Sequence, residues 1–152
     1  MIQRKQTLYL LASGLLMLIP IFLPMLVLTD GTSLYSFGST GFATAGGEIV
    51  SPSWALLGLN VLVILLSLVT IFLFNNRVLQ MRITVFSLIL KFGFYGLGVF
   101  YCYSFNNQPD LMSNMGIRLP LAIPLICMIL DYLAHRAIAI DEQTIRYMHR
   151  LR

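Results

Sequence analysis

Four long apolar stretches, Thr7–Leu28, Trp54–Phe74, Ile83–Phe105 and Leu119–Ala137, alternate with polar breaks along the chain. Each holds about 19 to 23 residues, enough for a helix rising about 1.5 Å per residue to cross about 30 Å of hydrocarbon. The pattern predicts an all-α integral membrane protein, one transmembrane domain over residues 1–152 with four helices running up and down. Eight residues, 75–82, join stretches two and three, which demands an antiparallel helical hairpin. Residues 106–118 join stretches three and four almost as tightly.

Smaller features refine this outline. Pro20 and Pro24 lie one turn apart in the far half of the first stretch, and Pro120 and Pro124 repeat the pair in the fourth. Each proline removes a backbone donor and bends a helix, so the two pairs suggest a shallow vestibule at that end. The loop 29–53 is rich in Gly, Ser and Thr. Within it Ser33–Phe37 and Phe42–Thr44 flank Gly38-Ser39-Thr40-Gly41, which fits either a hairpin at the lipid interface or a flexible connector. Trp54 marks the following membrane interface. Gly93, Gly96 and Gly98, with Ser87 and Phe100 near the same side, predict a close helix-packing face in the third stretch. Beyond Ala137 the pattern becomes amphipathic, with Ile138, Ile145, Met148 and Leu151 at helical spacing and Glu142 four residues before Arg146. This C-terminal helix over 138–152 either extends the fourth span, lies along the headgroups or docks a partner.

Composition and charge add orientation. The chain is 58% hydrophobic and 11% charged, with a mean hydropathy of +0.83, against about a quarter charged residues in soluble domains. Of its ten basic residues, Arg4, Lys5, Arg77, Arg82, Arg136, Arg146, Arg150 and Arg152 fall on one side of the predicted membrane, Arg118 on the other and Lys91 inside a span. The positive-inside rule then puts both termini and the 75–82 loop in the cytoplasm, at a bacterial inner membrane. The arginines are not interleaved with exposed stacking aromatics, so no nucleic-acid partner is expected. The first stretch is too long for a signal-peptide core and no small-x-small site follows it, which predicts an uncleaved span. Cys102 and Cys127 fall at different depths and form no Cys-x-x-Cys, so they are expected to be small packing residues without a disulfide.

Two ionisable residues stand inside the apolar stretches. Lys91 lies about 12 Å in from the start of the third stretch and Asp131 about 9 Å in from the end of the fourth, by helical rise. Antiparallel neighbours bring them to nearly the same depth. Each alone costs about 2.5 to 3.5 kcal/mol at a membrane centre, so an ion pair or charge-assisted hydrogen bond is expected. Three roles stay open: a proton or ion relay, a structural lock between helices, or separate fates with Lys91 snorkelling and Asp131 bonding His135 one turn on. No catalytic, cofactor or metal site is expected. Asp131 and His135 have ligand spacing, but a third ligand at a fixed position is missing. No histidine lies deep enough for a membrane-embedded triad or for clamping a haem.

At three places the chain resembles a known family. Met1-Ile2-Gln3-Arg4-Lys5-Gln6-Thr7-Leu8-Tyr9-Leu10-Leu11, Arg77-x-x-Gln80-x-Arg82, and Leu133-Ala134-His135-Arg136-Ala137-Ile138 with Asp141-Glu142 and Arg150-Leu151-Arg152 are similar to the corresponding segments of small four-span inner-membrane proteins of Bacteroidota, domain of unknown function 4293. His135 stands where that family has asparagine. The resemblance implies four helices, an inner-membrane location and a cytoplasmic C-terminal helix, and it carries no activity. All three segments fall on the cytoplasmic side, where Gln80, Arg82, His135, Arg136, Asp141 and Glu142 are expected to form a polar cluster. The resulting expectation is a non-enzymatic accessory, scaffold or assembly factor that binds a membrane-protein partner, a second copy or anionic lipid. A small proton-coupled transporter working through Lys91 and Asp131 is the alternative.

Overall fold

The computed structural model describes residues 3–29, 33–73, 76–105 and 115–150. The chain is mostly helical, with a five-stranded antiparallel sheet at one end. In order the elements are α1 (Gln3–Leu16), α2 (Ile19–Phe22), β1 (Leu26–Thr29), β2 (Leu34–Gly38), β3 (Gly41–Thr44), β4 (Ile49–Pro52), α3 (Trp54–Phe72), α4 (Arg77–Phe105), β5 (Met115–Ile117), a 3-10 turn (Leu119–Ala122) and α5 (Ile123–Arg150).

Buried positions on the long helices recur in alternating steps of three and four. They are Gln6, Leu10, Ser13 and Met17 along α1 and its C-terminal turn, and Leu56, Asn60, Val63, Ser67 and Thr70 on α3. On α4 they are Gln80, Thr84, Ser87, Lys91 and Phe94, and on α5 Cys127, Asp131, Ala134, Ile138 and Asp141. This period of 3.5 is the geometry of helices crossing at a small angle. α1 packs against α3 and α5, and α4 packs against the same two, so the four stripes face a common axis. The outward faces are apolar, with Leu15, Leu65, Phe86, Ile89, Phe92 and Ile129 all exposed. Three helical segments are long and apolar enough to cross a membrane: Trp54–Phe72, Arg77–Phe105 and Leu119–Gln143. Gln6–Phe22 is a shorter apolar helix.

The all-α expectation is corrected by the sheet. The first apolar stretch does not continue as a helix to Leu28: it turns at Met17 and Leu18, makes the single turn of α2 and ends. Pro20 sits in the first turn of α2, where its missing N–H costs nothing. Pro24 then forces Leu23 into the extended region (φ −113°, ψ 136°) and stops the helix. Leu26–Thr29 emerges as β1, paired with β2 on one side and β5 on the other, in a sheet of order β4-β3-β2-β1-β5.

The hairpin alternative for the 29–53 loop is the one adopted. Gly38 pairs with Gly41 across a two-residue turn, Ser39-Thr40. Gly41 has φ +134°, and a Cβ there would lie 2.3 Å from the Ser51 carbonyl oxygen, so only glycine fits. Leu26, Leu28, Phe37 and Phe42 point inward against Leu56, Phe94 and Cys102. Phe42 stacks on Phe105 at 4.0 Å between ring centres and packs on Phe37 at 4.5 Å. At 29 residues α4 is about 43 Å long, more than a hydrocarbon core, and its last turns support the sheet.

Two further expectations change. Gly93 and Gly96 are exposed, Gly98 is half-buried, and a Cβ on any of the three would meet nothing within 4 Å. The stripe from Gln80 to Phe94 makes the packing face of α4 instead. The close helix approach belongs to Gly14, where a Cβ would lie 3.3 Å from Ser67 Cβ as α1 meets α3. Finally, α5 is continuous to Arg150, so the tail extends the fourth stretch. Pro120 and Pro124 fall in the 3-10 turn and the first turn of α5, where they start the helix rather than bend it. The predicted Glu142–Arg146 pair lies outside the described residues.

Candidate functional site

The helix axis is polar, and its centre is ionic. Lys91 on α4 and Asp131 on α5 are both fully buried, and Lys91 Nζ forms an ion pair with Asp131 Oδ2. Lys91 Nζ also donates to Ser13 Oγ at 2.7 Å, and Ser87 Oγ donates to Asp131 Oδ2 at 3.1 Å. Ser13 Oγ in turn donates to the Cys127 carbonyl at 3.5 Å, while Cys127 Sγ donates to the Ser13 carbonyl at 3.4 Å. One centre thus ties α1, α4 and α5 together. An ion pair out of water persists only when such hydrogen bonds offset its desolvation. Lys91 does not snorkel, and Asp131 is not joined to His135: Asp131 Oδ1 and His135 Nδ1 are both buried without a hydrogen-bond partner among the described residues.

The axis is occupied on both sides of this centre. Toward the sheet, Met17, Val63 and Cys127 form an apolar layer backed by Leu16, Leu90 and Ile123. Beyond it the β2–β3 turn closes the end of the helices. Asn60 Nδ2 donates to Ser39 Oγ at 3.1 Å, Ser53 Oγ to the Ser39 carbonyl at 3.1 Å, and the Ser39 amide to the Pro20 carbonyl at 3.2 Å. Toward the start of α1, Gln80 Nε2 donates to the Thr70 carbonyl at 3.2 Å and Gln6 Nε2 donates to Asp141 Oδ2. Ser67, Thr70 and Thr84 satisfy their hydroxyls on carbonyls one turn back.

The expected cluster of Gln80, Arg82, His135, Arg136, Asp141 and Glu142 is not assembled on one surface. Gln80 and Asp141 are buried on the axis, whereas Arg82 and Arg136 are exposed and His135 and Glu142 are half-buried. The reason is rotation: two residues along a helix turn by about 200°, so Gln80 and Arg82 face opposite ways. The side chains of Arg4, Lys5, Arg146 and Arg150, and the whole of Arg152, lie outside the described residues. Both cysteines are free and buried. Sequence reasoning missed the polar-axis roles of Ser13, Ser87, Asn60 and Ser39, having placed Ser87 only on the glycine face and Ser39 only in the hairpin turn. For the first three a signal existed, because Gln6/Ser13, Asn60/Ser67/Thr70 and Gln80/Thr84/Ser87/Lys91 are polar residues stepping by three, four or seven through apolar stretches.

No curated protein matches the chain. One family, described as Domain of unknown function (DUF4293), matches residues 2–151, and it is to this DUF4293 family that the chain belongs.

Proposed function

We propose that this is a four-span inner-membrane protein with both termini in the cytoplasm and the sheet on the opposite side, acting without catalysis as a scaffold or assembly factor. Gln6–Phe22 serves as the first span; its 17 residues rise about 25 Å, at the short end of what a bilayer needs. One observation carries the functional reading. The polar side chains of the axis bond within the protein, some to one another and others to backbone carbonyls, and the axis is closed by the Met17–Val63–Cys127 layer and by the Ser39–Thr40 turn. That arrangement suits a rigid post better than a conduit. Lys91 and Asp131 then act as a lock between helices. The exposed Arg82 and Arg136 offer charge at the cytoplasmic face to anionic lipid or to a protein partner.

Affinity purification in mild detergent, with the co-purifying proteins counted by mass spectrometry, tests this. A stoichiometric partner that is lost on Arg82→Glu with Arg136→Glu supports it; a chain that always purifies alone sinks it. The rival proton-coupled transporter is favoured by the unsatisfied Asp131 Oδ1 and His135 Nδ1, two polar atoms one turn apart on α5. Proton flux into liposomes that disappears in Asp131→Asn would establish that reading instead.

A further inference from the structure

We infer that a pocket beneath the sheet holds one acyl chain of a membrane phospholipid. The inference rests on the membrane reading above. The pocket has a volume of about 330 Å³, roughly twice the ~150 Å³ apolar cavity that accommodates a benzene ring. Its floor is made by Met25, Phe37 and Phe94, all buried; its rim by Val99, Tyr103 and Ile117, all exposed on the lipid side.

Three features select the occupant. The lining is apolar, and the Tyr95 hydroxyl that borders it is already engaged, donating to the Leu121 carbonyl at 2.6 Å and accepting from the Leu125 amide at 3.1 Å. A polar headgroup therefore has nothing to bond inside, and plain hydrocarbon does. The position along α4 sets the source. Gly98 in the wall is sixteen residues beyond Arg82, about 24 Å along the helix, which is the level of outer-leaflet chains if Arg82 marks the inner boundary. The size excludes a partner helix, which with its side chains is about 10 Å across and needs an open groove. Gly98 also explains the room: its missing side chain leaves open space where a larger residue would project.

The experiment compares the full chain with Gly98→Leu and Gly93→Leu, purified from membranes, stripped of lipid and then mixed with dioleoyl phosphatidylethanolamine in detergent micelles. Native mass spectrometry counts retained lipid. A Cβ at either glycine meets nothing within 4 Å, so both variants should fold, which equal melting temperatures would verify. The expected result is one retained phospholipid on the unmodified chain and on Gly93→Leu, and at least tenfold less on Gly98→Leu. Equal retention by Gly98→Leu, loss in both variants, or no retained lipid on the unmodified chain overturns the proposal. A chain that stays in carbonate-washed membranes yet retains no lipid refutes the pocket alone, whereas a chain found in the soluble fraction refutes the membrane reading.

Discussion

The helical region and the sheet differ in what they bury: the helices a column of polar side chains, the strands apolar ones. Along the helices, Gln6, Ser13, Asn60, Gln80, Lys91 and Asp131 are buried while Leu65, Phe86, Phe92 and Ile129 are exposed. In the sheet, Leu26, Leu28, Phe37 and Phe42 are buried; Leu34, Ile49 and Val50 are exposed on the strands, and the turns between them expose Thr40 and Glu48. The sheet is held by apolar burial, the term that drives folding wherever water competes for the surface. In the proposed membrane setting the helices would have no such drive between them, because a lipid tail is as apolar as leucine. Their cohesion must come from packing and from polar contacts that lipid cannot replace. One chain thus carries two ways of holding its elements together, a buried polar column and a buried apolar layer.

The sharpest way to break this contrast is at the ionic centre. Asp131→Ala strands Lys91 and should cost about 3 to 5 kcal/mol, while Lys91→Met combined with Asp131→Leu should recover most of it. Thermal unfolding in detergent of the unmodified chain, Lys91→Met, Asp131→Leu and the double variant decides the matter, and simple additivity would remove the lock. A second contrast concerns the outward faces. Phe92, 71% exposed and ten residues past Arg82, should carry an insertion penalty of about 2.5 to 3.5 kcal/mol on substitution by Asp. Val50→Asp, on the sheet edge, should insert normally; a glycosylation-based insertion assay that treated the two alike would contradict the assignment of solvents. Gly41→Ala should destabilise by about 1 to 3 kcal/mol, because the position needs its unusual backbone. Hydrogen exchange should rise in β2–β4 and stay unchanged in α5. The mildest is Ser53→Ala, which removes one donor to the Ser39 carbonyl and should cost about 1 kcal/mol, read as faster exchange at the hairpin alone.

Some of this was legible in the residues and some was hidden for physical reasons. α3 and the apolar core of α4 coincide closely with the second and third stretches, since a helix apolar on nearly all sides writes itself as an unbroken apolar run. β1 was hidden because Leu26-Val27-Leu28-Thr29 is as apolar as the helix before it, and hydropathy does not distinguish a buried strand from a span. Pro24 was the available signal. Lys91 and Asp131 stood out because each is an isolated charge within a long apolar stretch. Ser13 and Ser87 did not, because a serine in a span can always bond its own helix, and only the shared 3.5-residue spacing marks them. The residues expected to form a polar cluster differ in burial because nearness in sequence does not fix a direction around a helix.

The placement of β5 has a consequence for timing. β5 closes the free edge of β1, yet α3 and α4 come between them in the chain. A nascent chain still on the ribosome therefore cannot complete the sheet until both of those helices have been synthesised. Chains stalled before Met115 should leave β1 open to protease, and full-length chains should not, making sheet closure a late readout of folding.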